Sequence, residues 1–153
     1  MEPSLSTRSE LDAVRARRAE LRETLGALEF TLAAPASGRA VIWGEAVHAS
    51  LALLADDFSA HVEVTEGPSG LHQAILAGDL RLANAVEALT AEHAQIAGEL
   101  ASLVADSAAP VTPDDVADLR ERATNLLGNL LRHRQRGADL IYEAYQTDIG
   151  GGD

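Results

Sequence analysis

The chain has 153 residues, 24 acidic side chains against 12 basic ones, a formal charge of −12 and no cysteine. That length suits one compact domain, residues 1–153, and the missing cysteines exclude disulfides, thiolate chemistry and cysteine-based zinc sites. Every basic residue is an arginine, and Arg81 is the only one between Val41 and Leu119, so the middle of the chain repels polyanions and no nucleic-acid partner is expected.

Apolar residues make up 46 % of the chain, too many for a disordered one. The opening "MEPSLSTRSE" has no apolar core, and no apolar run is long enough to span a bilayer. The expectation is a cytoplasmic protein with no membrane association.

Three clusters of Pro, Gly and small polar residues divide the chain: "AAPASG" at 33–38, "EGPSG" at 66–70 with a smaller break at Gly78, and "DSAAPVTP" at 106–113. Between them, apolar positions recur at alternating spacings of three and four, the helical period. The first seam runs Leu11, Val14, Arg18, Leu21, Leu25, Leu28, Leu32, and the second Val47, Leu51, Leu54, Phe58, His61. The third runs Leu82, Val86, Leu89, His93, Ile96, Leu100, Leu103, and the fourth Val116, Leu119, Ala123, Leu126, Leu130, His133, Gly137, Leu140.

Four amphipathic helices are predicted, at residues 7–32, 39–65, 79–105 and 113–147, with a minor helix at 71–76. In "TPDD", Thr112 is the predicted cap and Pro113 the first helical residue. Residues 1–6 and 148–153 are expected to be flexible tails. Short connections favour antiparallel neighbours, so the fold class read from the pattern is all-α, an up-down-up-down antiparallel four-helix bundle.

Polar residues interrupt these seams. His61, His93 and His133 occupy core-facing positions on three different helices. A buried imidazole needs a partner, and one metal ion satisfies several if they meet at one height. In an antiparallel hairpin, level residues are equidistant from the turn. The midpoint of His61 and His93 is residue 77, and that of His93 and His133 is residue 113; both lie at predicted breaks. The three rings are therefore expected within about one helical turn, roughly 5 Å along the axis.

The stretches "HVEVTEGPSGL" at His61, "EALTAEHAQIAGEL" around His93 and "LLRHRQRGADLIYEAY" around His133 resemble the helical motifs of hemerythrin-like, HHE cation-binding domains. The resemblance runs from about Arg18 to Tyr145. It implies a bundle holding non-haem iron, one or two ions, that binds or senses oxygen, nitric oxide or peroxide. Matched residue by residue, it implies metal ligation by His61, His93 and His133.

The chain departs from the family pattern at several points. The acid expected four residues after His61 falls on Thr65, and Glu66 follows instead. Five residues turn a helix by about 140°, so Glu66 is expected to reach the ion only if the helix unwinds at "GPSG". Ala97 stands where well-known members carry a second histidine, and Gly137 or Ala138 where an acid is expected, with Asp139 nearest. The first helix has no histidine; Arg18 lies in its seam, expected to pair with an inward Glu92 or to extend to solvent, and Glu29 is one position off.

What remains is a set of three imidazoles with Glu66 as the fourth ligand, competent for iron or zinc. Small residues at Thr65, Ala97 and Gly137 are expected to leave room beside it. His48 and His72 are read as surface or boundary residues, and Trp43, Tyr142 and Tyr145 as core or boundary packing. The alternative to a metal-binding protein is a metal-free degenerate bundle serving as a structural or partner-binding module. A metal-dependent enzyme is a third reading, for which no general base stands out.

Overall fold

A computed structural model describes residues 5–146 of the chain, and side chains from 8 to 145. The described residues are helical and contain no strand. Four long helices, α1 (Leu5–Ala33), α2 (Ala40–Glu66), α4 (Ala83–Asp106) and α5 (Pro113–Ile141), carry the fold, and a short α3 (Leu71–Gly78) lies between α2 and α4. None is long and apolar enough to cross a membrane.

The connections are set by local chemistry. Gly38 adopts φ +72°, a left-handed conformation that glycine reaches without strain, and the chain turns there from α1 into α2. The open carbonyls at the end of α1 are met by Arg120 of α5, whose Nε donates to Leu32 O at 2.9 Å and Nη2 to Ala34 O at 2.7 Å. The same guanidinium lies over the Trp43 ring, 5.1 Å from its centroid.

At the start of α5, Thr112 N–H and Oγ1–H both donate to Asp115 Oδ2, at 3.2 and 2.8 Å. Pro113 fills the first helical position, as the "TPDD" pattern predicts.

Two boundaries differ from expectation. The third long helix was expected to begin at 79, but Asp79 Oδ1 accepts the Arg81 N–H at 3.0 Å and starts a 3-10 turn, Leu80–Leu82, so α4 begins at Ala83. At the other end α5 widens into a single π turn, Tyr142–Gln146. The predicted end at 147 lies outside the described residues, as do the expected tails at 1–4 and 148–153; Leu5 and Ser6 belong to α1.

The seams are buried as the spacing predicts. They form two apolar clusters rather than one. The larger joins Leu28 and Leu32 of α1 to Trp43 and Val47 of α2, Leu103 of α4 and Leu119 of α5. The smaller joins Leu11 and Val14 to Leu71 and Ile75 of α3, Val86 and Leu89 of α4 and Leu140 of α5. On the four long helices the boundary between the clusters falls at Arg18, His61, His93 and His133, so a polar layer interrupts an otherwise apolar interior.

Candidate metal centre

Each histidine of this layer is held inward by the seam around it. His61 follows Phe58 by three residues on α2, His93 stands between Leu89 and Ile96 on α4, and His133 follows Leu130 by three on α5. All of these apolar neighbours are buried. The three imidazoles are themselves buried, 7 %, 2 % and 6 % exposed. Their ring centroids are 5.2 Å (His61–His93), 5.8 Å (His61–His133) and 4.6 Å (His93–His133) apart. One ligating nitrogen from each lies within 4.8 Å of the other two. Phe58 closes the side towards the larger cluster, its ring 5.7–6.2 Å from all three.

Two carboxylates fix the ring orientations. His93 Nδ1 makes a short hydrogen bond to Glu66 Oε2, and His133 Nδ1 meets Glu92 Oε1 at 2.8 Å. A carboxylate only accepts, so each Nδ1 carries the proton and each Nε2 keeps its lone pair. That is the tautomer a metal-ligating histidine needs, with the carboxylate behind it raising its basicity. Glu92 is bound in turn by Arg136 through a short ion pair. The Nδ1 of His61 is buried with no hydrogen-bond partner.

Burial holds all three rings neutral. It pushes His61 down to about 3 and His93 down to about 4, with the other imidazoles adding to the effect. His133 is lowered as well, chiefly by burial, while Glu92 pulls the other way. The donor set therefore consists of neutral imidazoles, the form that coordinates metals.

In a tetrahedral zinc site, ligand nitrogens at about 2.05 Å from the ion stand about 3.4 Å apart. The trio thus has to close by at most roughly 1.5 Å to reach that spacing. An unpartnered buried nitrogen on His61 and two oriented lone pairs fit a divalent ion of borderline softness, zinc or ferrous iron.

The neighbouring residues are arranged differently from the sequence reading. Glu66 reaches the layer with α2 still helical through it, but as a hydrogen-bond partner of His93 rather than as the expected fourth ligand beside the three rings: the rotation of five residues aims its carboxylate sideways at α4, so no unwinding is needed. Thr65 is buried, but its hydroxyl is spent on the carbonyls of His61 and Val62 at 3.0 and 3.1 Å. Ala97 does not border the site; the α4 seam continues through Ile96 and Leu100, which leaves Ala97 exposed. Gly137 does border it, and a Cβ there would stand 3.6 Å from Arg18 Nη2.

Arg18 does not pair with Glu92; it is half-buried and borders an open groove. Its Nη2 donates to Arg134 O at 2.7 Å, because Glu92 is already engaged by His133 and Arg136. Glu29 and Asp139 are exposed and away from the layer.

His72 corrects the sequence reading most. Instead of lying at the surface or boundary, it is 5 % exposed, its ring stacked on His93 with centroids 5.7 Å apart and planes 2° from parallel. Its Nδ1 lies 3.4 Å from Thr90 Oγ1, and burial lowers it to about 4. The signal was present in Leu71 and Ile75, which bury one face of α3, but period alone cannot say which way a two-turn helix folds back. His48 is a boundary residue, its Nδ1 3.0 Å from Ser107 Oγ. Trp43 is core, Tyr145 packs against the smaller cluster, and Tyr142 is exposed.

Beside the trio lies a cavity of about 50 Å³ with walls including Leu21, Phe58, His61, His72, His133 and Arg18. Cavities of that size hold a few waters or a molecule of two to four heavy atoms. No protein-family model, curated protein or solved structure matches this chain.

Proposed function

We propose that this chain is a hemerythrin-like four-helix protein that binds a non-haem metal ion, iron before zinc, through His61, His93 and His133. The observation that carries the reading is that nitrogens of three buried, neutral imidazoles from three helices lie within 4.8 Å of one another. Glu66 and Glu92 orient two of those rings from behind, and Arg136 secures Glu92. The up-down-up-down order is part of the same proposal. It is supported by the larger apolar cluster, which joins the ends of α1 and α4 to the starts of α2 and α5.

Three imidazoles leave a coordination position open, and an ion bound there supplies a binding point for oxygen, nitric oxide or peroxide. The chain's own residues do the rest. Phe58 and the leucines give the cavity apolar walls, and its size limits the ligand to a few heavy atoms.

Metal content of untagged wild type and His93→Ala, measured after purification, tests the proposal. Stoichiometric metal in wild type and its loss in the variant are expected; equal, near-zero content in both would overturn it. One observation favours a second reading, a metal-free structural or partner-binding bundle: the permanent charge of Arg18 is close enough to act on His61 and His133 and opposes a cation between them. Under that reading a chelator leaves the melting temperature unchanged.

A further inference from the structure

Arg18 is a half-buried guanidinium with five donor hydrogens, and its hydrogen bond is to a backbone carbonyl. No carboxylate pairs with it among the described residues. Burial and the positive charges of Arg134 and Arg15 act together to lower its affinity for its proton. A charge withdrawn from water without a counter-ion is costly, so a group in this position calls for an anion.

The surroundings supply the route. On the outer side of Arg18, between α1 and α5, an open groove of about 600 Å³ is lined by Arg15, Arg18, Arg22 and Arg134, with Leu131 and Gln135. Four of the chain's twelve arginines thus face one groove in a protein of net charge −12. On its inner side Arg18 borders the 50 Å³ cavity. Among the described residues no acidic one lines either space, although the chain has 24. Among the described residues, only Arg15 of the four arginines pairs with a carboxylate, Asp12 at 3.7 Å on the exposed face.

We infer that Arg18 and the cavity behind it form a binding site for a small, planar, two-oxygen monoanion, drawn in through the arginine-lined groove. The guanidinium fork matches two coplanar oxygens, which a spherical halide cannot offer. The cavity limits the remainder of the anion to one or two heavy atoms, and its leucines and Phe58 favour an apolar end. Carboxylates such as acetate and inorganic anions such as nitrite share this chemistry. A bound anion would also neutralise the charge that Arg18 brings to the histidine layer. The site stands on Arg18 and the cavity and needs no metal.

The test uses the full chain, stripped of metal, at constant ionic strength. Acetate, nitrite and chloride are titrated separately by calorimetry, and the Arg18 side-chain 15N resonance is followed by NMR. Saturable binding of acetate, nitrite or both, with a shift of the Arg18 resonance, and at least about tenfold weaker binding of chloride are expected. The acetate and nitrite arms identify which source the cavity accepts. Arg18→Met, which keeps the aliphatic stem, should weaken the binding about tenfold or more, while Arg22→Gln should weaken it less and flatten its salt dependence. Equal binding by wild type and Arg18→Met, chloride binding as tightly as acetate and nitrite, or an Arg18 resonance unmoved by any of them would overturn the inference. The resonance reads the site in wild type even if a variant fails to fold, and failure of the metal reading would leave the result unaffected.

Discussion

Replacing His61 by leucine should stabilise the metal-free protein and abolish its response to metal. The ring is buried beside Phe58, its Nδ1 has no partner, and burial with the neighbouring imidazoles holds it neutral down to about pH 3. An unsatisfied buried polar group costs about 1–3 kcal/mol, and leucine fills a similar volume without it. For a domain of this size each kcal/mol moves the melting temperature by roughly 2–4 °C, so metal-free His61→Leu should melt roughly 2–12 °C above metal-free wild type. Zn²⁺ at a thousand times its Kd should reverse the order, since it adds about 4.1 kcal/mol to wild type and nothing to a protein lacking the third nitrogen. Calorimetry of both proteins, with chelator and then with zinc, reads the four values. A metal-free variant melting well below wild type would mean that His61 holds a polar contact in the fold. Zinc stabilising both proteins equally would mean that the three rings are not the binding site.

Further outcomes follow from the same geometry. Because the folded-state values of His61, His72 and His93 lie below the ordinary 6.5, the unfolded chain binds more protons from about pH 6.5 downwards. The metal-free protein should therefore be fully stable above about pH 7 and lose about 1.4 kcal/mol per pH unit per neutral ring as pH falls towards 4, which urea titrations across that range would measure. A flat stability profile between pH 7 and 4 would contradict it. Glu92→Gln should lower metal affinity about 10–100-fold, since the amide no longer fixes His133 in its Nδ1-protonated form; competition with a chromophoric chelator checks this. Gly44→Ala would drive a methyl group into Val111 and should cost about 1–3 kcal/mol, seen as a lower melting temperature with metal binding retained.

The helices were readable because each seam repeats with the helical period over many residues, and the three histidines were readable because they replace leucines within it. Glu92 was legible as an inward acid supporting the site, but the ring it serves was not, and neither was the role of Glu66. A carboxylate five residues past one histidine, or just before another, points away from its own seam, and only the packing of a neighbouring helix gives it a partner. Ala97 was placed beside the site by the family spacing, although a residue four past His93 is about 40° round the helix and the seam read from the sequence already ran through Ile96. His72 was hidden by the shortness of α3, and Arg18 by the fact that a seam position fixes where a side chain starts but not where its long stem ends.

The two carboxylates run in relay along the fold: α2 lends an acid to a ring on α4, and α4 lends one to a ring on α5. Sliding α4 lengthwise by a single residue would break both links at once, because its donor and its acceptor are adjacent in the chain. The histidine layer therefore acts as an alignment key. It penalises every neighbouring register that leucine packing alone would tolerate, whether or not an ion is bound.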